Sequence, residues 1–402
     1  MPRRKRDLTA RQQLARGPVD LPFLMLVLML TAIGVIAMFS ASYASAYYES
    51  KDHNATYYFV RQALFAIGGV LVMWLISRID YQTFRWVSVF ILGISIVLLV
   101  LVKVPGFGRT VNGANRWVKL PGLPQFQPSE IAKVGVILYF ASRMSKRDTV
   151  KKKPWNAKTW LGRTLAALEK IGLLELLPYV GILLVVGGLL LWEPHMSGTI
   201  LIFAGAAAVL FAGGIHWGWF AAGGAVVGGG LWFIMNNTDY MLRRITLWKD
   251  PWSEPRGGGF QTIQSLYAIG SGGLLGKGFG KSMQKFLYLP EEQNDFVFAV
   301  WCEEMGLIGA IVVLALFALL IIRGYWLAIH ARDKFGALLI VGVTTLLAVQ
   351  VFLNIAVVTN LIPVTGISLP FFSYGGTALM IQLAEMGMVL GVSRQIQAPR
   401  QG

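Results

Sequence analysis

Asp295 is the side chain in this sequence best suited to general-base chemistry. It follows the polar run 291–294 and directly precedes an apolar run that begins at Phe296, so it lies where an apolar helix would meet water. Partial burial of a carboxylate raises its pKa and its basicity, so Asp295 could accept a proton from a hydroxyl group. The structural alternative is a helix N-cap, a position that favours aspartate.

Two cations are candidates for binding an anionic group. Arg116 lies in the segment GANRWV, and Lys133 lies in QPSEIAK, three residues after Glu130. Either Lys133 pairs with Glu130 on one face of a helix, or Arg116 and Lys133 hold an anionic headgroup beside a lipid-facing groove. We favour anion binding and include Glu130 in the same candidate site.

Two other segments complete the candidate substrate-binding set. Lys277 belongs to the glycine-rich run 270–280, which lacks the preceding strand of a nucleotide-binding fingerprint. That run therefore predicts close helix packing or a backbone cradle for a lipid phosphate. Ser373 belongs to the segment 361–376, LIPVTGISLPFFSYGG, where turn-forming residues and polar groups stand beside an apolar stretch.

Other ionisable residues give weaker signals. Glu303 and Glu304 lie inside an apolar run, where charged groups are costly; they predict either a functional role or a polar pair facing the interior of the bundle. No metal-binding spacing occurs, and we predict no metal site made by the protein. The four histidines are scattered: His53, His195, His216 and His330.

The composition is that of a membrane protein. Of 402 residues, 55% are hydrophobic and only 14% are charged, and the mean hydropathy is +0.59. This excludes an ordinary soluble domain. The net charge of +16 comes from cations clustered beside apolar segments, which favours attraction to anionic lipid over nucleic acid binding.

The pattern of apolar runs predicts an all-α polytopic protein with about ten transmembrane helices. Nine candidate spans start near residues 21, 58, 86, 176, 199, 217, 296, 335 and 371, and a tenth, short span covers Ile131–Met144. We predict one transmembrane domain over 21–393, with a large structured outer loop at 236–295 between spans 7 and 8.

The distribution of lysine and arginine predicts the orientation. These residues cluster in an amino-terminal arm (1–20) and in the segment 145–172, whereas the alternate loops near 44–56 and 359–370 contain only Lys51. Because cationic loops stay cytoplasmic, both termini, including the tail 394–402, are expected on the cytoplasmic side. Asp295 is then expected on the outer side.

The motifs GANRWV, QPSEIAK, EPHMSGT, QSLYAIGSGG…LYLPEEQNDFVFA and LIPVTGISLPFFSYGG, in this order, resemble those of the SEDS family (shape, elongation, division and sporulation). The resemblance extends from the first span to Arg394. It implies a ten-helix enzyme of the bacterial cytoplasmic membrane that polymerises lipid II into peptidoglycan glycan strands. It also implies a class B penicillin-binding protein as transpeptidase partner, together with other division proteins of the membrane.

The resemblance carries roles onto particular residues. The essential outer-loop aspartate of the family corresponds to Asp295, and Arg116 and Lys133 correspond to positions that hold the lipid-linked substrate. The sequence departs from the family in the EPHMSGT segment, where His195 replaces a usual aspartate. That departure weakens a catalytic assignment there and leaves Asp295 unaffected.

Several alternatives stay open from sequence. Within this resemblance, the loop from Asp250 to Glu291 lacks the short insertion of RodA-type enzymes of elongation, and NIAVVTNLIPVTG with the terminal VSR is similar to FtsW and to the sporulation paralogue. The resemblance therefore favours a division-type, FtsW-like member, and an elongation or sporulation role stays open. A lipid II transporter (flippase) and a purely structural division scaffold are the rivals from other classes. A weakly held divalent cation such as Mg²⁺ near a pyrophosphate also stays open, because such an ion keeps most of its waters and leaves little trace in sequence.

Overall fold

The computed structural model describes residues 17–396 except 51, 112–113, 123, 148–158, 160–162, 165, 167, 170–171, 194 and 238. Most of the predicted basic arm (1–20), most of the predicted basic segment 145–172 and residues 397–402 of the tail therefore lie outside the described residues. Within those residues the chain is mainly α-helical.

Twelve helices account for most of the described chain. They are α1 (Leu21–Glu49), α2 (Tyr57–Arg78), α3 (Tyr81–Leu101), α4 (Pro128–Ser145), α5 (Leu173–Trp192), α6 (Met196–Ala212), α7 (Trp217–Asn237), α8 (Asp239–Lys249), α9 (Phe260–Gly272), α10 (Val297–His330), α11 (Lys334–Val358) and α12 (Gly376–Ile396). A short 3₁₀ helix, Pro251–Ser253, lies between α8 and α9.

A helix occurs at each of the ten predicted positions. Among the described residues, seven helices are long and apolar enough to cross a bilayer: α1, α2, α3, α5, α10, α11 and α12. The other three positions are α4, α6 and α7, of which α6 is a shorter apolar helix. The short span predicted at Ile131–Met144 is an 18-residue helix. The prediction of an all-α polytopic membrane protein is confirmed.

The final span begins later than predicted. The apolar pattern places its start near residue 371, whereas α12 begins at Gly376. The preceding residues form turns, with Phe371 at a φ of 65°. A φ of 65° at Phe371 is incompatible with a right-handed helix, so the apolar run begins before the helix does.

A β-hairpin between α3 and α4 is the element that sequence patterns did not predict. Strands β1 (Gly108–Val111) and β2 (Ala114–Val118) pair antiparallel, with a register irregularity between Arg109 and Thr110. Val118 then bridges to Phe126, just before α4 begins at Pro128. The hairpin thereby places Arg116 close to the start of the helix that carries Glu130 and Lys133.

Aspartate N-caps organise one end of the bundle. Asp20, Asp80 and Asp333 each accept a backbone amide at the start of α1, α3 and α11, respectively. Asp20 also pairs with Arg323 of α10, at 2.6 Å, and Asp333 accepts hydrogen bonds from Tyr81 and Gln82 of α3. Side-chain acceptors thus satisfy amide groups that helix starts leave unpaired.

Helix α10 is broken at Gly306, which adopts φ 65° and ψ −166°. The segment 273–278 takes up the freed backbone groups: the amide of Leu307 donates to the Gly273 carbonyl at 2.9 Å, and the amide of Lys277 donates to the Glu303 carbonyl at 3.0 Å. An irregular backbone at membrane depth is tolerated when protein satisfies it in this way. The break therefore fixes the outer segment against α10.

Replacing Gly306 by alanine should strongly destabilise the protein. Its backbone conformation is accessible almost only to glycine, and an added Cβ would lie 2.3 Å from the Gly276 amide nitrogen. The matched control is Gly68→Ala, because a Cβ at Gly68 has no atom within 4 Å. Thermal unfolding in detergent should show a clear loss for Gly306→Ala and little change for Gly68→Ala; equal melting temperatures would contradict the packing described for the break.

Candidate active site

Asp295 lies two residues before α10, in a turn at the mouth of the bundle. The N-cap residue of α10 is Phe296, and no side chain caps this helix. The N-cap alternative for Asp295 is therefore wrong. Among the described residues, no side chain or amide donates a hydrogen bond to the Asp295 carboxylate, which leaves both of its oxygens available to a substrate.

Asn354 of α11 holds the backbone at Asp295. Its side-chain amide donates to the Asp295 carbonyl at 2.8 Å and to the Ile367 carbonyl at 2.6 Å. The Asp295 carboxylate faces Gly366, since a Cβ added to Gly366 would lie 3.2 Å from Oδ2. Asn354 thus fixes the aspartate between α11 and the segment 361–375.

Ser373 holds the residue before Asp295. Its hydroxyl donates to the Asn294 carbonyl at 2.6 Å and accepts the Leu369 amide at 2.7 Å. Beside it, the Tyr374 amide donates to the Gln293 carbonyl at 2.8 Å. Ser373, predicted to bind substrate, therefore has a positioning role in the structure.

The charge environment sets the basicity of Asp295. Burial and the negative charge of Glu291 raise its pKa to about 7, although Arg116 acts in the opposite direction. A carboxyl group with a pKa near neutrality can gain and lose a proton at physiological pH, as a general base requires. Arg116 on β2 is thus an electrostatic neighbour of Asp295.

A second acidic side chain borders Arg116. The Arg116 Nε lies 3.5 Å from the carbonyl oxygen of Glu193, which is 1% exposed. Neither carboxylate oxygen of Glu193 has a hydrogen-bond partner in the described part of the chain. Burial raises the Glu193 pKa to about 8, opposed by Lys103 and Arg116. At neutral pH Glu193 is therefore mainly uncharged and does not neutralise Arg116.

His195 is buried beside the same cations. Its Nε2 lies 3.2 Å from the Gln127 side-chain nitrogen, and burial, together with Arg116 and Lys133, lowers its pKa to about 3. The imidazole is therefore neutral. The substituted aspartate is a weak signal of function in the sequence, whereas the structure places His195 within electrostatic range of Arg116 and Lys133.

Glu130, Lys133 and Ser373 line one small cleft, with a volume of about 30 Å³. Lys133 is paired with Glu130 at 2.7 Å, as the structural alternative predicts. Glu385 of α12 lines the same cleft. Sequence reasoning missed Glu385, although a lone acid inside an apolar span is a recognisable signal of function.

Lys277 lies in a different cluster. Its ammonium group contacts Glu303 at 2.6 Å, and Glu303 also accepts the Met283 amide at 3.1 Å, the Gln284 amide at 3.2 Å and the Ser282 hydroxyl. Lys277 does not line the cleft that contains Glu130 and Lys133. Its assignment to substrate binding stays a prediction that these contacts do not support.

Glu304 forms the second half of this cluster. It lies 3.0 Å from Lys285, and both side chains are almost fully buried. The Ser40 hydroxyl of α1 donates to Glu304 at 2.7 Å, and Lys285 donates to the Gly280 carbonyl at 2.6 Å. The two glutamates thus face the bundle interior and bind the segment 277–285 to α1 and α10.

No group of three or more His, Cys, Asp or Glu side chains among the described residues could hold a metal ion. A Mg²⁺ ion carried by a diphosphate does not require such a group, so its involvement stays a prediction.

The fold and the site define a multi-pass α-helical membrane protein with a cluster of carboxylates and cations at one end of its bundle. Comparison with known proteins agrees with this class. A model of the cell cycle protein family of FtsW, RodA and SpoVE matches residues 21–398. The chain belongs to that family, and the predicted SEDS resemblance is confirmed.

Individual relatives cover nearly the whole chain. The probable peptidoglycan glycosyltransferase FtsW of Geobacter sulfurreducens is 38% identical over 380 residues, which cover 94% of this chain and 96% of that protein. Stage V sporulation protein E of Bacillus subtilis is 38% identical over 376 residues, 93% of this chain and 97% of that protein. A solved structure concerned with polymerization and crosslinking by a peptidoglycan synthase complex aligns with a TM-score of 0.69 and 30% identity, covering 96% and 99% of the two chains.

The buried Lys285–Glu304 pair should be essential for stability. Removing one partner leaves an unpaired buried charge, so Lys285→Met should cost about 3–5 kcal/mol of unfolding free energy. Adding Glu304→Leu to Lys285→Met should recover part of that loss, because no buried charge is then left. Unfolding in detergent measures the change in unfolding free energy for the single and for the double variant.

The control for this pair is Glu254→Gln. Glu254 pairs with Arg243 at 2.7 Å, but both side chains are exposed, and exposed pairs contribute little. No measurable change is expected. A loss as large as that of Lys285→Met, or a Lys285→Met protein as stable as the parent, would contradict the importance of the buried pair.

Proposed function

We propose that this protein is a peptidoglycan glycosyltransferase that polymerises lipid II into β-1,4-linked glycan strands at the outer face of the bacterial cytoplasmic membrane, in septal synthesis during division. Its similarity to proteins named FtsW supports the reaction class. The observation that carries the residue assignment is Asp295, a fixed carboxylate with no hydrogen-bond donor among the described residues and a pKa near 7.

Asp295 is the general base of the proposed reaction. It takes the proton from the 4-hydroxyl of the acceptor GlcNAc as that oxygen attacks the anomeric carbon of the donor MurNAc. The bond from that carbon to the undecaprenyl diphosphate oxygen breaks, and the diphosphate leaves with the electron pair. Inversion at the carbon gives the β link. Positioned proton transfer of this kind contributes typically about 100-fold to 10,000-fold in rate.

Arg116 and Lys133 stabilise the diphosphate leaving group in this proposal. Because Glu193 and His195 are neutral, neither of them cancels the Arg116 charge, and the hairpin brings that charge near Asp295. Lys133 would exchange part of its contact with Glu130 for a phosphate oxygen. Fixed cations aimed at developing negative charge are a large source of rate enhancement. If Mg²⁺ takes part, it neutralises diphosphate charge and is carried by the substrate.

The membrane supplies orientation and partners. With both termini cytoplasmic, Asp295 and the cleft face outward, and both lipid-linked substrates are confined to the same leaflet, which reduces the entropy lost on reaction. The similarity to a structure concerned with a peptidoglycan synthase complex supports a class B penicillin-binding protein as partner, and we expect other division proteins to join it.

Polymerisation of labelled lipid II by the purified protein with its transpeptidase partner tests the function. Asp295→Asn and Asp295→Ala should lose at least about 100-fold in rate while keeping the parent melting temperature. The matched control is Asp250→Asn: Asp250 is an exposed aspartate between α8 and α9 whose side chain accepts the nearby Trp252 amide, and its variant should polymerise normally.

Two results would overturn the proposal. Glycan product from Asp295→Asn at the parent rate would exclude the general base. Movement of lipid II between leaflets by the parent protein without any polymer would favour a transporter instead.

A further inference from the structure

A second cavity lies at the end of the bundle where α1 begins and where α2 and α12 end. Its volume is about 390 Å³, which exceeds the roughly 150 Å³ of an engineered apolar cavity that accepts benzene. The walls are mainly apolar and include Leu24, Leu28, Val70 and Met73. An apolar space of this size is suited to a hydrocarbon chain and not to water.

Two arginines stand at the polar end of this cavity. Arg394 lines it from α12, and its guanidinium group donates to the Gly17 carbonyl at 3.2 Å and to the Ser77 carbonyl at 3.4 Å. Arg78 lines it from α2, with its guanidinium group 4.0 Å from the centre of the Trp74 ring. These contacts hold two positive charges beside the apolar cavity, near the ends of α2 and α12.

The helices that form the cavity are in close contact just beyond it. A Cβ added to Gly387 of α12 would lie 2.6 Å from the Met73 carbonyl oxygen of α2. A cavity with mainly apolar walls and two arginines among its lining residues matches an amphiphile whose tail enters the cavity and whose headgroup is anionic. Basic pockets between transmembrane helices on the cytoplasmic side bind phospholipid headgroups in this way.

We infer that this cavity binds an anionic diacyl phospholipid of the inner leaflet, with one acyl chain between α1, α2 and α12 and its phosphate between Arg78 and Arg394. The lipid fills space that the helices leave open and braces the α2–α12 pair. Because α12 begins beside the Ser373 segment that positions Asp295, the lipid supports the opposite end of a helix that borders the candidate active site.

The test uses the full-length protein in neutral phosphatidylcholine nanodiscs, with phosphatidylglycerol added in steps. Phosphatidylglycerol should raise the melting temperature beyond the effect of the same amount of phosphatidylcholine, and native mass spectrometry should detect it bound to the protein. Arg78→Gln combined with Arg394→Gln should weaken this binding by about tenfold or more. Leu28→Trp, which fills the cavity and keeps both arginines, should also abolish it.

The matched control is Arg61→Gln. Arg61 stacks on Tyr57 at 4.2 Å, the same kind of contact that Arg78 makes, but at the other end of α2. It should bind phosphatidylglycerol as the parent does, and the readout is independent of lipid II polymerisation.

Four outcomes of the measurements on the full-length chain would overturn the inference. They are equal stabilisation by the two phospholipids, unchanged binding in the double arginine variant, unchanged binding in Leu28→Trp, and displacement of phosphatidylglycerol by undecaprenyl phosphate at a much lower concentration. Binding that is seen only after deletion of residues 1–16 would assign the cavity to the chain's own arm and would also reject the lipid.

Discussion

Burial of two adjacent glutamates, Glu303 and Glu304, in the first turns of α10 constrains the outer half of this structure. A carboxylate at that depth requires neutralising partners, and the partners come from the outer segment, chiefly Lys277 and Lys285. The pairs therefore do more than neutralise charge. They bind the segment 277–285 to α10, beside the break at Gly306, so that the connection from this segment to α10 follows a fixed path.

Asp295 lies on that path. Its carboxylate accepts no hydrogen bond from the described residues because the neighbouring polar side chains bond to backbone carbonyls. The polar groups of Asn354 and Ser373 bond to backbone carbonyls at 294 and 295 and not to the carboxylate. The nearby Arg116 acts through its charge, and Glu193 beside it is mainly neutral. A rigid backbone, an available carboxylate and a cation within electrostatic range are the conditions for proton abstraction coupled to departure of a diphosphate.

Sequence reasoning located most of this site because its signals are local. Asp295 stood out at the edge of an apolar run, and Glu130 with Lys133 stood out by helical spacing. What it missed depends on tertiary contacts. The hairpin that carries Arg116 has little hydrophobic alternation. The helix break at Gly306 depends on the segment 273–278 that packs against it. The ion pair between Lys277 and Glu303 joins two residues that are 26 positions apart in the sequence. The start of α12 was misplaced because apolar character continues through a turn.

The pH dependence of lipid II polymerisation tests the role of Asp295 most directly. Only its carboxylate form accepts a proton, so the single-turnover rate should be low near pH 5, rise through a midpoint near the Asp295 pKa of about 7 and stop rising above about pH 8, where Glu193 ionises beside Arg116. Glu291→Gln should move that midpoint to lower pH, because the charge of Glu291 raises the Asp295 pKa. A rate independent of pH from about 5 to 9, or a midpoint that Glu291→Gln leaves unchanged, would contradict the general-base role.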